Sequence, residues 1–131
     1  MSAALPPYAD ALGIVLDHDE DGLPVLCVDF SKRIEGRPGY LHGGAMSGLM
    51  EMAAVAALRA ELERRGERMK LKPVNVQVEF MRGGTEQRTY AMGTVTRAGR
   101  RVALLNAECW QDDRKKPIAL AQMKVLLSPD E

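Results

Sequence analysis

The sequence predicts an α+β fold in which a curved antiparallel sheet surrounds one long helix. Three observations lead there. Residues 44–65 carry the chain's only long helical pattern, a hairpin pattern precedes them, and four segments of strand character follow, separated by short turns. The 131 residues read as one domain, 1–131, large enough to bury a core and too short for two ordinary units.

Each element has a local reason. Residues 5–12, "LPPYADAL", form a short helix opened by proline and ended by Gly13. In "GIVLDHDEDGLPVLCVDF" two apolar runs flank an Asp-Gly turn, a β-hairpin signature that leaves His18 at a solvated turn. "SKRIEGRPGY" is a polar loop. The helix that follows is apolar almost all round from Ala45 to Leu58 and charged in "RAELERR", so its first half is expected to be buried and its second half at the surface. Gly66 is its C-cap, with Arg64 and Arg65 suiting the negative end of the helix dipole.

Beyond Lys70 the period changes from helical to two. "VNVQVEF" sets Val74, Val76, Val78 and Phe80 against Asn75, Gln77 and Glu79, the alternation of a half-buried strand. "RTYAMGTVTR", "RRVALLNAECW" and "PIALAQMKVLL" follow. The short turns between them predict consecutive antiparallel neighbours.

Composition excludes several classes of function. Lys plus Arg and Asp plus Glu balance at 18 each, so no overall field favours nucleic acid or an anionic membrane. The N-terminal stretch has no basic region followed by a continuous apolar run, and no segment approaches a membrane span, which predicts a cytoplasmic protein. Cys27 and Cys109 sit among apolar residues and read as buried thiols. With only His18 and His42 besides, no metal site is expected. Of the eight methionines, Met46, Met50 and Met52 lie on the helix, where core packing or the lining of an acyl pocket would use them, and Trp110 would line a pocket or cover an interface.

"YLHGGAMSGLMEM" carries the chemistry. Gly43 and Gly44 open the helix, where the first N–H groups lack intrahelical partners and the dipole is positive, a setting for an oxyanion or a polarised carbonyl; a plain tight turn is the other reading. Glu51 is the only ionisable side chain between Gly43 and Leu58. Buried with those neighbours it would be held at a raised pKa, useful for a base. Otherwise it lies on a wet stripe or pairs with a distant arginine. Eight residues of helix separate Gly43 from Glu51, roughly 12 Å at 1.5 Å per residue, so both reach one carbonyl only if two antiparallel copies share the site.

"GYLHGGAMSGLMEMAAVAAL", "VNVQVEFMRGG" and "GTVTRAGRR" together resemble the hotdog-fold acyl-CoA thioesterases of the phenylacetate-pathway (PaaI-like) and 4-hydroxybenzoyl-CoA type, over residues 13–127. The resemblance implies a six-stranded antiparallel sheet around one helix, paired into a homodimer or a homotetramer built as a dimer of dimers. It also implies hydrolysis of a CoA thioester without any cofactor. Gly43 N–H would hold the thioester carbonyl, Glu51 from the partner subunit would act as nucleophile or general base, and His42 matches the motif histidine. The coenzyme's phosphates call for cations and free N–H groups, and Arg82, Arg97, Arg100 and Arg101, with Gly44, are the candidates. Three positions depart from the family pattern. Gly36 stands where an Asn or Gln is common, and Val55 and Pro73 stand where a Ser or Thr is found. These departures motivate an alternative, a non-catalytic acyl-CoA or small-ligand binding protein on the same scaffold. Hotdog hydratases pair an Asp with a nearby histidine, and no histidine follows Glu51.

Overall fold

The computed structural model describes residues 5–130. Residues 1–4, the start of the stretch read for a leader, and residue 131 lie outside the described residues.

Helix α1 (Pro7–Leu12) begins on a proline and ends at Gly13, whose φ of 80° is a conformation glycine adopts without strain. Strands β1 (Val15–Glu20) and β2 (Leu23–Val28) make the expected hairpin. Asp21 and Gly22 both take positive φ, 53° and 83°, as in the mirror-image turn that Asp-Gly favours. His18 lies on β1 rather than in the turn, its Nδ1 2.6 Å from the Asp17 carboxylate. A 3-10 turn (Lys32–Ile34) interrupts the polar loop that follows.

Helix α2 (Gly43–Arg64) is capped at both ends. At its start the His42 carbonyl accepts from Ala45 and Met46, and its Nδ1 accepts from Gly44 N–H at 2.9 Å. At its end Gly66, with φ 68°, turns the chain so that Glu67 N–H reaches the Leu62 carbonyl at 3.0 Å. Arg64 and Arg65 both bond the Glu61 carboxylate, at 2.7 and 3.0 Å.

Strands β3 (Met69–Phe80), β4 (Thr89–Ala98), β5 (Val102–Trp110) and β6 (Ala119–Pro129) complete one antiparallel sheet, ordered β1-β2-β4-β5-β6-β3 among the described residues. The α+β arrangement is as expected, but one pairing is not. The first of the last four strands pairs with β6 instead of β4. Residues 81–88 explain this: the connection is too long for a tight hairpin and crosses the ends of β6 and β5 to reach the centre of the sheet.

The half-buried alternation expected of "VNVQVEF" is not what one chain shows either. At the sheet edge Val74, Val76 and Phe80 are 49%, 40% and 55% exposed, and only Val78 packs on the core. Pro73 fits there because an edge strand need not use every N–H, and a bulge separates it from Asn75.

The helix lies against the concave face of the sheet, where Ala91, Ala103, Leu105, Cys109, Ala119 and Val125 are at most 1% exposed. Its own small residues Ala53 and Ala54 belong to the same buried cluster. Closest approach is at Gly93, where an added Cβ would stand 2.5 Å from Ala54 Cα and 2.7 Å from the Ala53 carbonyl oxygen. Both cysteines are buried and unpaired, Met46 and Met50 belong to the core, and burial pushes the Cys109 thiol up to about 12. Trp110 is buried too, stacked on Tyr90 at 5.8 Å beneath the Arg114 guanidinium.

Candidate functional site

The helix entrance is built by two loops lying against each other. In the first, Gly36 N–H bonds the Tyr40 carbonyl and His42 N–H bonds the Ile34 carbonyl, both at 2.8 Å, which delivers His42 and Gly43 to the start of α2. In the second, residues 81–88, the Gly84 carbonyl accepts from Leu41 N–H at 2.9 Å. Gly83 faces the Tyr40 ring and Gly84 faces Leu41 and Ile118; a Cβ at Gly84 would stand 2.8 Å from Leu41 Cδ1, so a larger residue there would have to displace the Leu41 side chain.

The two glycines of "HGG" have different partners. Gly44 N–H is taken by the His42 ring, and an Nδ1 that accepts carries its proton on Nε2. Gly43 N–H has no partner among the described residues, and the half-exposed Phe80 ring covers that glycine, 3.2 Å from where its Cβ would be. An unsatisfied N–H at a helix N-terminus is a donor ready for a carbonyl oxygen.

Glu51 lies two turns further on, roughly 12 Å along the axis. It shares a partly open stripe of α2 with Ser47 and Val55, four residues to either side, and with Met52. The helix is therefore not enclosed all round within one chain. The Glu51 carboxylate has no hydrogen-bond or ion-pair partner among the described residues, and desolvation alone pushes it above the usual carboxylate range. This removes the distant-arginine reading within one chain and leaves a half-buried acid on a stripe that is neither fully wet nor fully covered.

The four candidate arginines divide. Arg82 belongs to the second loop, its N–H on the Ile118 carbonyl at 3.2 Å, beside the entrance. Arg100 and Arg101 belong to the turn between β4 and β5, whereas Arg97, expected in the same turn, lies on β4 opposite Leu104; Arg65 holds this end of the strand at the other end of α2 through the Ala98 carbonyl at 3.1 Å. The 22 residues of the helix put roughly 30 Å between these groups. One chain therefore brings Arg82, His42, Gly43 and Gly44 together and leaves Glu51 and the other three arginines apart from them. It also adds Arg37, which sequence reasoning had not singled out, with its guanidinium 4.6 Å above the Tyr40 ring. None of the described His, Cys, Asp and Glu side chains cluster as three or more in a metal-binding arrangement.

Residues 35–125 match the family described as the acyl-CoA thioesterase N-terminal domain, more than half of the chain. The chain belongs to this thioesterase family. Similar solved structures agree on the hotdog architecture. A Haemophilus influenzae thioesterase superposes with a TM-score of 0.79 at 15% identity, covering 93% of this chain and 82% of that one. A variant of the phenylacetic acid degradation protein PaaI from Thermus thermophilus gives 0.73 at 22% identity, with 92% and 98% covered. A Chromobacterium violaceum protein gives 0.70 at 33% identity, with 95% and 85% covered. No curated protein matches the sequence.

Against that thioesterase background the departures acquire a physical setting. Gly36 packs on the His42 backbone, and a Cβ there would be 3.1 Å from His42 Cα, so an Asn or Gln in this place would need the loop to move. Val55 sits one turn beyond Glu51 with no hydroxyl to offer it, and Pro73 lies on the exposed edge strand. No helix among the described residues is long and apolar enough to cross a membrane.

Proposed function

We propose that this thioesterase-family chain hydrolyses an acyl-CoA to the free acid and CoA in a site shared by two copies. Gly43 N–H of one copy polarises the thioester carbonyl. Glu51 of the other either activates water or attacks directly, forming an anhydride that water then opens. The supporting observation is a half-buried, unpartnered carboxylate with a raised pKa, separated by two helical turns from an unpartnered helix-entrance N–H. The exposed edge strand β3, with Val74, Val76 and Phe80, and the partly open stripe of α2 are the surfaces a second copy would cover. Arg82, with Arg97, Arg100 and Arg101 from the opposite end, would then meet the coenzyme's phosphates, and no cofactor takes part.

Gly43→Pro tests the oxyanion donor at little cost to helix propensity, provided that the half-exposed Phe80 ring, 3.2 Å from the added Cβ, swings aside. Proline is well accepted at the first helical position, and His42 already has the extended conformation (ψ 134°) that a following proline requires. The variant should fold and lose roughly a hundredfold or more in kcat in a thiol-release assay over short, medium, long and aromatic acyl-CoAs. Mixing it with Glu51→Gln tests the shared site. Random pairing makes half the dimers mixed, each with one intact site of two, so about a quarter of native activity should return. No recovery despite subunit exchange would place both groups in one chain and overturn the shared arrangement. The alternative, acyl-CoA binding without turnover, draws on Gly36, where no polar side chain is available to hold water. Saturable CoA binding with no thiol release from native protein would select it.

A further inference from the structure

Among the described residues only Thr89 and Gln111 are buried polar side chains, and they bond each other, Gln111 Nε2 donating to Thr89 Oγ1 at 3.0 Å. The remaining capacity of the Gln111 amide goes to one residue of the 81–88 loop. Its Oε1 accepts from Thr85 N–H at 3.1 Å and from Thr85 Oγ1 at 3.4 Å, while its Nε2 donates to the Thr85 carbonyl at 3.0 Å. A side-chain amide thus takes both main-chain groups of Thr85, as the peptide of a neighbouring strand would. With the Met81 and Arg82 N–H groups on the Ile118 carbonyl at the start of the loop, this clamp fixes in its middle a loop that crosses two strand ends without joining the sheet.

The next residue back is Gly84, whose carbonyl holds Leu41 N–H at 2.9 Å, and Leu41 directly precedes His42 and Gly43. Two positions before Gly84 is Arg82. A loop held at Thr85 therefore sets two things at once, the position of the helix entrance and the placement of Arg82 beside it. We propose that Gln111 is a positioning residue for this site, acting through Thr85 and Gly84 on Gly43 and Arg82 without touching substrate. The assignment rests on the thioesterase reading for its kinetic consequence, but the mechanical link from Gln111 to the entrance stands without it.

Gln111→Met keeps the length and volume of the side chain and removes all four hydrogen bonds. At a temperature well below the unfolding transition, KM for an acyl-CoA should rise about tenfold or more because Arg82 is displaced, and kcat should fall as well because the Gly43 donor moves with the entrance, although Glu51 on α2 is untouched. A purely structural role would lower the melting temperature and leave both constants unchanged. In the same variant, amide hydrogen exchange should accelerate at Leu41 and Thr85 and stay native in the middle of α2 and in β6. Gln87→Ala is the control. It removes an exposed bond to Thr85 Oγ1 (2.7 Å) and keeps the main-chain clamp, so it should behave as native protein. Should Gln111→Met fail to fold, Gln111→Glu, which keeps the acceptor for Thr85 N–H and loses the donor, reads the same quantities. Unchanged KM in a folded variant, or unchanged exchange at Leu41, would overturn the proposal. If native protein hydrolyses no thioester, the functional reading fails, and exchange at Leu41 alone then decides the clamp.

Discussion

Glu51→Gln is expected to reduce thioester hydrolysis by roughly a hundredfold to ten-thousandfold without lowering the melting temperature at neutral pH. The two halves of this result have one cause. Burial without a partner pushes the carboxyl up, so its ionised form is disfavoured in the fold relative to the unfolded chain. A carboxyl whose folded pKa exceeds its unfolded value brings no penalty at pH below the unfolded value. The penalty grows as pH rises between the two and is complete above the folded one. Replacing it with a neutral amide of the same shape should therefore stabilise the protein at neutral pH, and the gain should vanish in acid. Thermal melts of both proteins across that range check the sign. Native kcat/KM should fall as pH drops through the raised pKa, since the base must be ionised. A Glu51→Gln variant that hydrolysed thioesters at the native rate would remove Glu51 from the mechanism.

Gly93→Ala should be the most destabilising single methyl group in the sheet. The atoms it would meet, Ala54 Cα at 2.5 Å and the Ala53 carbonyl oxygen at 2.7 Å, belong to helix backbone and cannot rotate away. Overpacking a core by a methylene costs about 1–3 kcal/mol when side chains absorb it, and here the whole helix must lift from β4. A loss of about 3 kcal/mol, or roughly 10 °C in melting temperature, is expected from circular-dichroism melts. A shift under about 2 °C would mean that α2 rides more loosely on the sheet than the structure shows. The same position matters to function, because lifting α2 moves Glu51 and the helix entrance together.

Much of this was legible in the sequence, for identifiable reasons. Gly13, Asp21-Gly22 and Gly66 each mark a backbone conformation or a cap that short-range chemistry dictates, and the elements they bound appear where expected, whereas the His42 ring that caps the start of α2 carried no such mark. The lone acid eight residues after Gly43 was equally plain. The position of β3 was not, because alternation in "VNVQVEF" distinguishes two faces without saying which strand lies alongside or what covers the outer valines. The grouping of the arginines was hidden by the helix length, which carries Arg97, Arg100 and Arg101 to the far end from Arg82. Gln111 had no signal at all. In "WQDDRKK" it looks like another turn residue, since a side chain that bonds main chain needs no matching side chain elsewhere for a pattern to reveal.

The pairing of β3 with β6 also sets the order in which the protein is assembled. β3 emerges from the ribosome before the 38 residues, 81–118, that separate it from its partner, and its own next neighbour in sequence pairs elsewhere. Until β6 is made, a twelve-residue strand with exposed valines has no neighbour on either side. Contacts that distant in sequence slow folding and prolong the exposure of an unpaired edge, so the nascent chain is most prone to aggregate in this window. Its closing residues then do more than finish a sheet, since a chain halted before residue 119 lacks the strand on which β3 depends.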